Sequence, residues 1–209
     1  MPQLETLIIR KDPDILLCPV PKLRFLTIDT PRKEFPITHI PKTVEILEIA
    51  ALEVRKVDEA SPSLTLTNLT HFVFKDTLLL DNHWARLDLP NLQKLTVWEV
   101  TIHRDFGLES NRPILGDKGV FAFLPSLTAL SLRRLRQPLT EDFSTTPRLR
   151  VLEIAECPLA KNILPCLVED GTVLPDLQRL CIDLTACQSI GGFEWRCKGV
   201  RPDLEIQIT

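Results

Sequence analysis

The segment PRLRVLEIAECPLAKNILPCLVEDGTVLPDLQRLCIDL, residues Pro147–Leu184, decides the fold of this chain. A proline precedes the apolar triplet Leu149, Leu152 and Ile154, and the same phrase returns after Pro175. In the pattern Pro-x-Leu-x-x-Leu-x-Ile, the last two apolar residues lie two positions apart and therefore face the same side of a β-strand. Each phrase thus predicts a turn followed by a short strand with one buried face.

The phrase recurs along the whole sequence. Its apolar triplets are Leu4/Leu7/Ile9, Leu23/Leu26/Ile28, Val44/Leu47/Ile49, Leu69/Phe72/Phe74, Leu92/Leu95/Val97, Leu127/Leu130/Leu132, Leu149/Leu152/Ile154 and Leu177/Leu180/Ile182. A shorter unit, PDLEIQIT, follows, and Leu204 is taken as its first apolar residue. One unit buries too little apolar surface to offset the conformational entropy of about twenty ordered residues. We therefore expect neighbouring units to stack as a repeat protein.

The unit Leu149–Leu159, LRVLEIAECPL, matches the phrase LxxLxLxx(N/C)xL of the leucine-rich-repeat family, with Cys157 at the asparagine-or-cysteine position. The sequence resembles that family over nearly its whole length. At the position of Cys157 the other units depart from the family and carry Asp12, Pro31, Leu52, Thr77, Val100, Leu135 and Thr185. The resemblance implies an α/β solenoid, a horseshoe with a curved parallel β-sheet on the concave face and short helices, turns or extended segments on the convex face.

The repeats predict one domain. We expect residues 1–209 to form a single leucine-rich-repeat domain of about eight to nine irregular repeats, with residues 185–209 as a C-terminal cap. Phe193, Trp195 and the final strand are expected to cover the sheet edge at that end. The first triplet begins almost at Met1, so the N-terminal edge has no evident cap. An uncovered edge favours either a longer chain or a homodimer formed through that edge.

Some segments between the strands predict short helices. In the stretch 117–124, an aspartate cap precedes apolar residues on one helical face, and 162–171 has the same form with a glycine stop. The sequence DNHWARLDLP, residues 81–90, predicts a further helical turn that buries Trp84 and Leu87.

Composition excludes several classes of partner. The net charge of -3 provides no basic field for nucleic acid, and the chain has no run of about 18 apolar residues that would span a membrane. The N-terminal sequence MPQLETLIIRKD has no secretory-signal pattern. We therefore expect a cytoplasmic or nuclear protein.

Sequence motifs for catalysis or metal binding are weak. The stretch His103–Gly107 contains the letters of the kinase motifs HRD and DFG, but they overlap on Asp105, whereas kinases place them in separate loops. The four histidines have no metal-ligand spacing. We therefore predict no catalytic residue, no cofactor and no metal, and a chain that is not an enzyme.

The six cysteines include no CxxC pair. Cys157 and Cys166 are predicted to be small core residues. Cys181, Cys187 and Cys197 cluster near the end of the sequence, and in a secreted protein they would be able to staple a C-terminal cap. Paired or free thiols would therefore distinguish a secreted protein from an intracellular one.

The best candidate site is the row of outward strand residues, predicted to form a protein-binding concave face. Large apolar side chains stand there where solubility favours polar ones, with basic residues nearby, which is typical of an interface. Trp98 is the expected anchor. The predicted protein-binding residues are Phe25, Ile46, Glu48, His71, Val73, Lys75, Lys94, Trp98, Arg133, Glu153, Arg179 and Asp183.

The amino-acid pattern of the repeats suggests a class of function. FAFLPSLTALSL, TPRLRVLEIAECPL and RPDLEIQI are similar to the repeat region of fungal, basidiomycete-type F-box/leucine-rich-repeat proteins. The resemblance implies a non-enzymatic scaffold, the substrate-recognition module of an F-box-type ubiquitin ligase adaptor. No F-box pattern is apparent in the sequence. The resemblance therefore implies that ubiquitin ligase components would bind through an F-box that is missing here.

Two alternatives remain open. One is a secreted or immune-type leucine-rich-repeat binding protein. The other is a small-molecule-binding regulator or enzyme, for which Glu48, His71, Lys75 and Glu153 are the candidate titratable groups. It would require these four side chains to converge on one pocket.

Overall fold

The fold was taken from a computed structural model. It describes residues 3–10, 20–29, 40–50, 53–54, 64–75, 78–80, 87–99, 101–103, 124–135, 143–157, 172–183 and 192–209. The strands of these residues are β1 (Thr6–Ile9), β2 (Phe25–Asp29), β3 (Ile46–Ala50), β4 (Glu53–Val54), β5 (Leu64–Thr65), β6 (His71–Lys75), β7 (Leu78–Leu80), β8 (Leu87–Asp88), β9 (Lys94–Trp98), β10 (Thr101–His103), β11 (Ala129–Arg133), β12 (Val151–Ala155), β13 (Arg179–Ile182) and β14 (Glu205–Ile208).

The described residues form a parallel β-solenoid. Nine strands make the main sheet, in the order β1-β2-β3-β6-β9-β11-β12-β13-β14, so that each repeat adds one strand beside the previous one. All eight pairings are parallel and hold equivalent positions side by side; Leu47, for example, lies between Leu26 and Phe72. The prediction of stacked repeats is therefore confirmed.

Burial alternates along the main strands. In β3, β6, β11 and β12 the second and fourth residues are buried and the others are half-buried. These buried positions are the last two members of each predicted triplet, and Phe72 and Phe74 lie with ring centroids 4.1 Å apart in the middle of the core. The main sheet therefore has one face on the core and one face open to solvent.

Prolines set the turns that precede the strands. In the turn Thr146–Leu149, the amide of Leu149 donates to the carbonyl of Thr146 at 3.1 Å, and Pro147 is the second residue. The same bond closes the turns Val20–Leu23, Leu89–Leu92, Leu124–Leu127, Leu174–Leu177 and Arg201–Leu204, each with proline second. Proline suits that position because its fixed φ matches the turn and the second residue donates no hydrogen bond there. These six turns account for six of the 17 prolines.

The turns also bond to one another through side chains. Asn68 Nδ2 donates to the carbonyl of Lys42 at 3.0 Å, and Asn91 Nδ2 donates to the carbonyl of Thr67 at 2.7 Å. Ser126 Oγ continues the series by donating to the carbonyl of Pro90 at 2.7 Å. These bonds satisfy carbonyl groups that the tight turns leave without a backbone partner.

Smaller sheets accompany the middle repeats. One has the order β10-β7-β4, and the other pairs β5 with β8. Leu87 lies in β8 beside Leu64, so the predicted helical turn is wrong at Leu87, and Trp84 lies outside the described residues. Lateral pairing between repeats provides the hydrogen bonds that a helix would have made internally, as in the bond from the Leu66 amide to the Asp88 carbonyl, 3.0 Å long.

Helix is scarce in the described part of the chain. It comprises one α-helix, α1 (Phe193–Val200), and one 3-10 turn, Phe143–Thr145. The helix predicted over 117–124 is described only at Leu124, which is buried, and the one predicted over 162–171 lies outside the described residues. Nothing in the described ranges is a helix long and apolar enough to cross a membrane.

The C-terminal end differs from its prediction in one respect. β14 pairs with β13, as expected of a final strand, but Trp195 is 82% exposed and covers nothing, so that prediction is wrong. Cys197 of α1 is buried, and two residues of α-helix rotate by about 200°, which turns Trp195 away from the core. The side chain of Phe193 lies outside the described part.

The last repeat has a shifted pattern. Leu204 occupies the turn position, but Ile206 pairs with Leu180 and Ile208 pairs with Ile182. The unit is therefore one residue shorter than the others, with Leu-x-Ile-x-Ile in place of Leu-x-x-Leu-x-Ile. This settles a register that Leu204 alone could not define.

The predicted core role of Cys157 is confirmed, whereas Cys166 lies outside the described residues. Cys157 is 3% exposed, and its thiol lies 3.5 Å from the Leu132 carbonyl of the preceding repeat and 3.3 Å from that of Ala155. Burial disfavours the thiolate and raises the pKa of Cys157 from 9.0 to about 11. In the preceding repeat the equivalent residue is Leu135, which is also buried.

This pKa predicts a loss of stability at high pH. Between pH 9 and about 11 the unfolded chain releases the Cys157 proton while the folded chain keeps it, so the free energy of unfolding falls as pH rises. The loss assigned to this thiol is about 2 kcal/mol. Urea unfolding across that range should show a shallower pH dependence for Cys157→Ala than for wild type. Parallel profiles for the two proteins would contradict the prediction.

Candidate functional site

The open face of the main sheet consists of the strand side chains that do not enter the core. In register across the sheet they form three rows. The first row is Thr6, Phe25, Ile46, His71, Lys94, Ala129, Val151, Arg179 and Glu205. The second row is Ile8, Thr27, Glu48, Val73, Thr96, Ser131, Glu153, Cys181 and Gln207. The third row is Asp29, Ala50, Lys75, Trp98, Arg133 and Ala155, with Asp183 just past β13.

All twelve predicted binding residues lie on this open face. Lys94 and Arg179 are exposed, and the other ten are half-buried. The alternation of the strands made this placement predictable, because any residue between two core positions must point outward. Their role in binding remains a prediction.

Trp98 lies at the centre of the third row, between Lys75 and Arg133 in register. The guanidinium carbon of Arg133 is 6.0 Å from the centroid of the Trp98 ring, and that of Arg134 is 5.8 Å away. Both distances are in the range of cation–π contacts. The indole is therefore held among positive charges.

Two acidic residues pair with the bases on either side of Trp98. Glu48 Oε1 accepts a bond from Lys75 Nζ at 2.6 Å. On the other side, Glu153 pairs with Arg133 and also accepts a bond from Ser131 Oγ at 2.7 Å. These pairs are partly exposed, so each contributes at most about 1 kcal/mol to stability. Their main effect is to hold the two basic side chains in place.

Lys94 differs from the other bases of the open face. It is exposed in the first row, between His71 and Ala129. No other described residue pairs with its ammonium group by a hydrogen bond or an ion pair. His71 Nδ1 lies 2.9 Å from Thr70 Oγ1.

Paired charges lie towards both ends of the main sheet. Arg24 lies 5.6 Å from the Phe25 ring centroid and makes two bonds of 2.8 Å to Glu45, and this hydrogen bonding lowers the pKa of Glu45. Arg179 bonds to Glu205 at 2.9 Å and lowers the pKa of that carboxyl in the same way. Arg24, Glu45, Arg179 and Glu205 therefore have partners within the chain.

Sequence reasoning missed a charged corner beside Trp98. Glu99, Arg134 and Glu156 follow β9, β11 and β12, and their φ angles of 54°, 52° and 54° are left-handed. Arg134 lies 2.8 Å from Glu156 and 3.9 Å from Glu99, which stacks three charges across three repeats. Such positions usually carry glycine or asparagine, so no sequence signal indicated them.

The candidate titratable groups do not meet in one pocket. Glu48 and Lys75 are paired and His71 is on the same strand as Lys75, but Glu153 lies on β12, four strand spacings or about 19 Å from β3. In the part of the chain that the structure covers, no cluster of three or more His, Cys, Asp or Glu side chains is arranged to hold a metal ion.

The described cysteines are free thiols. Cys157 and Cys197 are buried, and Cys181 is half-buried on the open face, with its sulfur 3.4 Å from Gln207 Oε1. Cys181 and Cys197 are therefore not paired with each other, and Cys187 lies outside the described residues.

No protein-family model matches the sequence, and no curated protein matches it.

Proposed function

We propose that this chain is a non-enzymatic protein-binding scaffold that recognises a protein partner through its open face. The observation that carries the proposal is Trp98, a half-buried indole in the middle of the sheet with Lys75 and Arg133 beside it. Aromatic and arginine side chains at the centre of a surface are typical of binding hot spots. Phe25, Ile46 and Val73 add apolar area to the same face.

The specific role proposed is that of the substrate-recognition module of an F-box-type ubiquitin ligase adaptor, in the cytoplasm or nucleus. The amino-acid pattern of the repeats supports this role, together with the resemblance to leucine-rich repeats. A leucine-rich-repeat horseshoe would make the open face concave. The free thiols of Cys157, Cys181 and Cys197 fit an intracellular setting. In this proposal, ubiquitin ligase components bind through an F-box, for which this sequence shows no pattern.

Affinity capture from a fungal lysate tests the proposal. Wild type is compared with Trp98→Ala/Arg133→Ala and with the matched control Trp195→Ala/Arg196→Ala, which removes the same two residue types from exposed positions of α1. We expect the first variant to lose proteins that wild type and the control retain. Recovery of ubiquitin ligase components with them would support the adaptor role.

Two results would contradict the proposal. An identical set of proteins from all three chains would remove the open face from binding. If the chain captures only further copies of itself, the result would instead indicate self-association. We would assign that association to the β1 edge, where Ile8 is 54% exposed. Native mass measurement distinguishes that case.

A further inference from the structure

The charges on the open face are sorted by strand. The three central strands, β6, β9 and β11, place nine side chains on it, among which Lys75, Lys94 and Arg133 are basic and none is acidic. The next strand on each side carries one acid and no base, Glu48 on β3 and Glu153 on β12. The centre of the sheet is therefore a basic strip between two acidic borders.

The borders neutralise the edges of this strip but not its middle. Glu48 bonds to Lys75 and Glu153 bonds to Arg133, so two of the three bases have carboxylate partners within the chain. The ammonium of Lys94 has no such partner among the described residues and is exposed. The net charge of these five side chains is +1, from three bases minus two acids, and it is concentrated at Lys94.

The shape of the strip suits an extended segment. Lys94 and Trp98 are at opposite ends of β9, about 13 Å apart along the strand. Between them the second row presents only the short side chains of Val73, Thr96 and Ser131. A low stretch of the sheet surface thus lies between a cation and an aromatic ring, with Thr96 in the middle of it.

We propose, on the basis of the function proposed above, that the protein partner presents an extended acidic segment to this strip. A carboxylate of the segment binds the Lys94 ammonium, and an apolar or aromatic side chain about four residues away packs against Trp98. Arg133 contributes further donors, because a guanidinium has more N–H groups than its bond to Glu153 uses. The two ends together define both the position and the direction of the segment.

An acidic peptide fits this surface better than nucleic acid does. The chain carries a net charge of -3, and Glu48 and Glu153 border the strip, so a continuous phosphate backbone that extends past three strands would meet repulsion on both sides. A short acidic segment needs only the central charge. Its carboxylate and its apolar neighbour match what Lys94 and Trp98 offer.

Selection of short random peptides displayed on phage tests the inference. The full chain is used as wild type, as Lys94→Glu, and as the matched control Lys42→Glu, which makes the same charge change at an exposed turn residue away from the open face. We expect wild type to enrich peptides in which Asp or Glu lies about four residues from an aromatic or aliphatic residue. The dissociation constant of the best peptide should rise about tenfold or more in Lys94→Glu and change little in Lys42→Glu.

Several results would overturn it. These are enrichment without acidic residues, no enriched peptide, equal affinity for the two lysine variants, or tighter binding of single-stranded RNA or a phosphorylated peptide than of the acidic one. The lysate capture distinguishes failure of the acidic-segment inference from failure of the proposed function. If capture depends on Trp98 and Arg133 but acidic peptides are not selected, only the acidic-segment inference is wrong.

Discussion

Phe74→Ala is expected to lower the free energy of unfolding by about 3–5 kcal/mol. Phe74 is fully buried in β6, in the middle of the solenoid, with its ring centroid 4.1 Å from that of Phe72. Truncation removes apolar contact and leaves a cavity that two rigid neighbouring strands cannot fill. Since each repeat is stabilised by its neighbours, the loss should also weaken the coupling between the two halves of the array. Urea unfolding monitored by circular dichroism measures both effects.

The matched control for this prediction is Val73→Ala. Val73 is adjacent in β6 but half-buried on the open face, so its truncation should cost about 1 kcal/mol or less. A loss of similar size in both variants would mean that the two faces of the sheet contribute equally to packing. That result would contradict the one-sided core described above.

Trp98→Ala is expected to weaken binding of a captured protein partner by about 2 kcal/mol or more, which is about thirtyfold in dissociation constant. The indole is the largest side chain at the centre of the open face, and its loss also removes the surface on which Arg133 and Arg134 stack. Isothermal titration calorimetry of the purified pair measures the change. The folded state should persist, because Trp98 is only half-buried.

Trp195→Ala is the control for the same measurement. It removes the same residue type from α1, where the indole is 82% exposed, and should leave the affinity unchanged. Unchanged affinity in Trp98→Ala as well would exclude Trp98 as an anchor. A loss in Trp195→Ala alone would move the binding surface to the C-terminal helix.

Residue spacing predicted the main sheet well. The distance of two between Leu152 and Ile154 defines a strand with one buried side, and the same spacing in the other repeats aligns their strands in register. Because burial alternates along each strand, the residues between the core positions must be the exposed ones. This is why all twelve candidate residues lie on the open face. Local alternation is sufficient here because a parallel pairing keeps equivalent positions side by side.

Spacing was a weaker guide between the main strands. At Leu87 the local pattern is compatible with a helical turn, but pairing with Leu64 of the preceding repeat makes it part of a strand. The hydrophobicity of Trp195 predicts a cap residue, but the rotation of α1 that buries Cys197 turns the indole to solvent. Both differences arise because short apolar runs suit several structures and neighbouring repeats select one of them.

The electrostatics of the open face also depended on contacts across strands. No sequence separation indicates that Glu48 bonds to Lys75 or that Glu153 bonds to Arg133, since the partners are 27 and 20 residues apart. The left-handed residues beside Trp98 were equally hidden, because charged residues rarely adopt that conformation. Sequence reasoning therefore identified the residues of the surface but not their partners.

A stacked array of turns and strands, with its core residues and the residues of its open face, is predictable from the sequence. These follow from proline positions and from the period-two alternation, which are local properties of the chain. The folded structure is needed to see which charges are paired and that Lys94 has no partner among the described residues. This is because the ion pairs form between strands that are neighbours in the sheet but whose residues are 20 or more positions apart in the sequence.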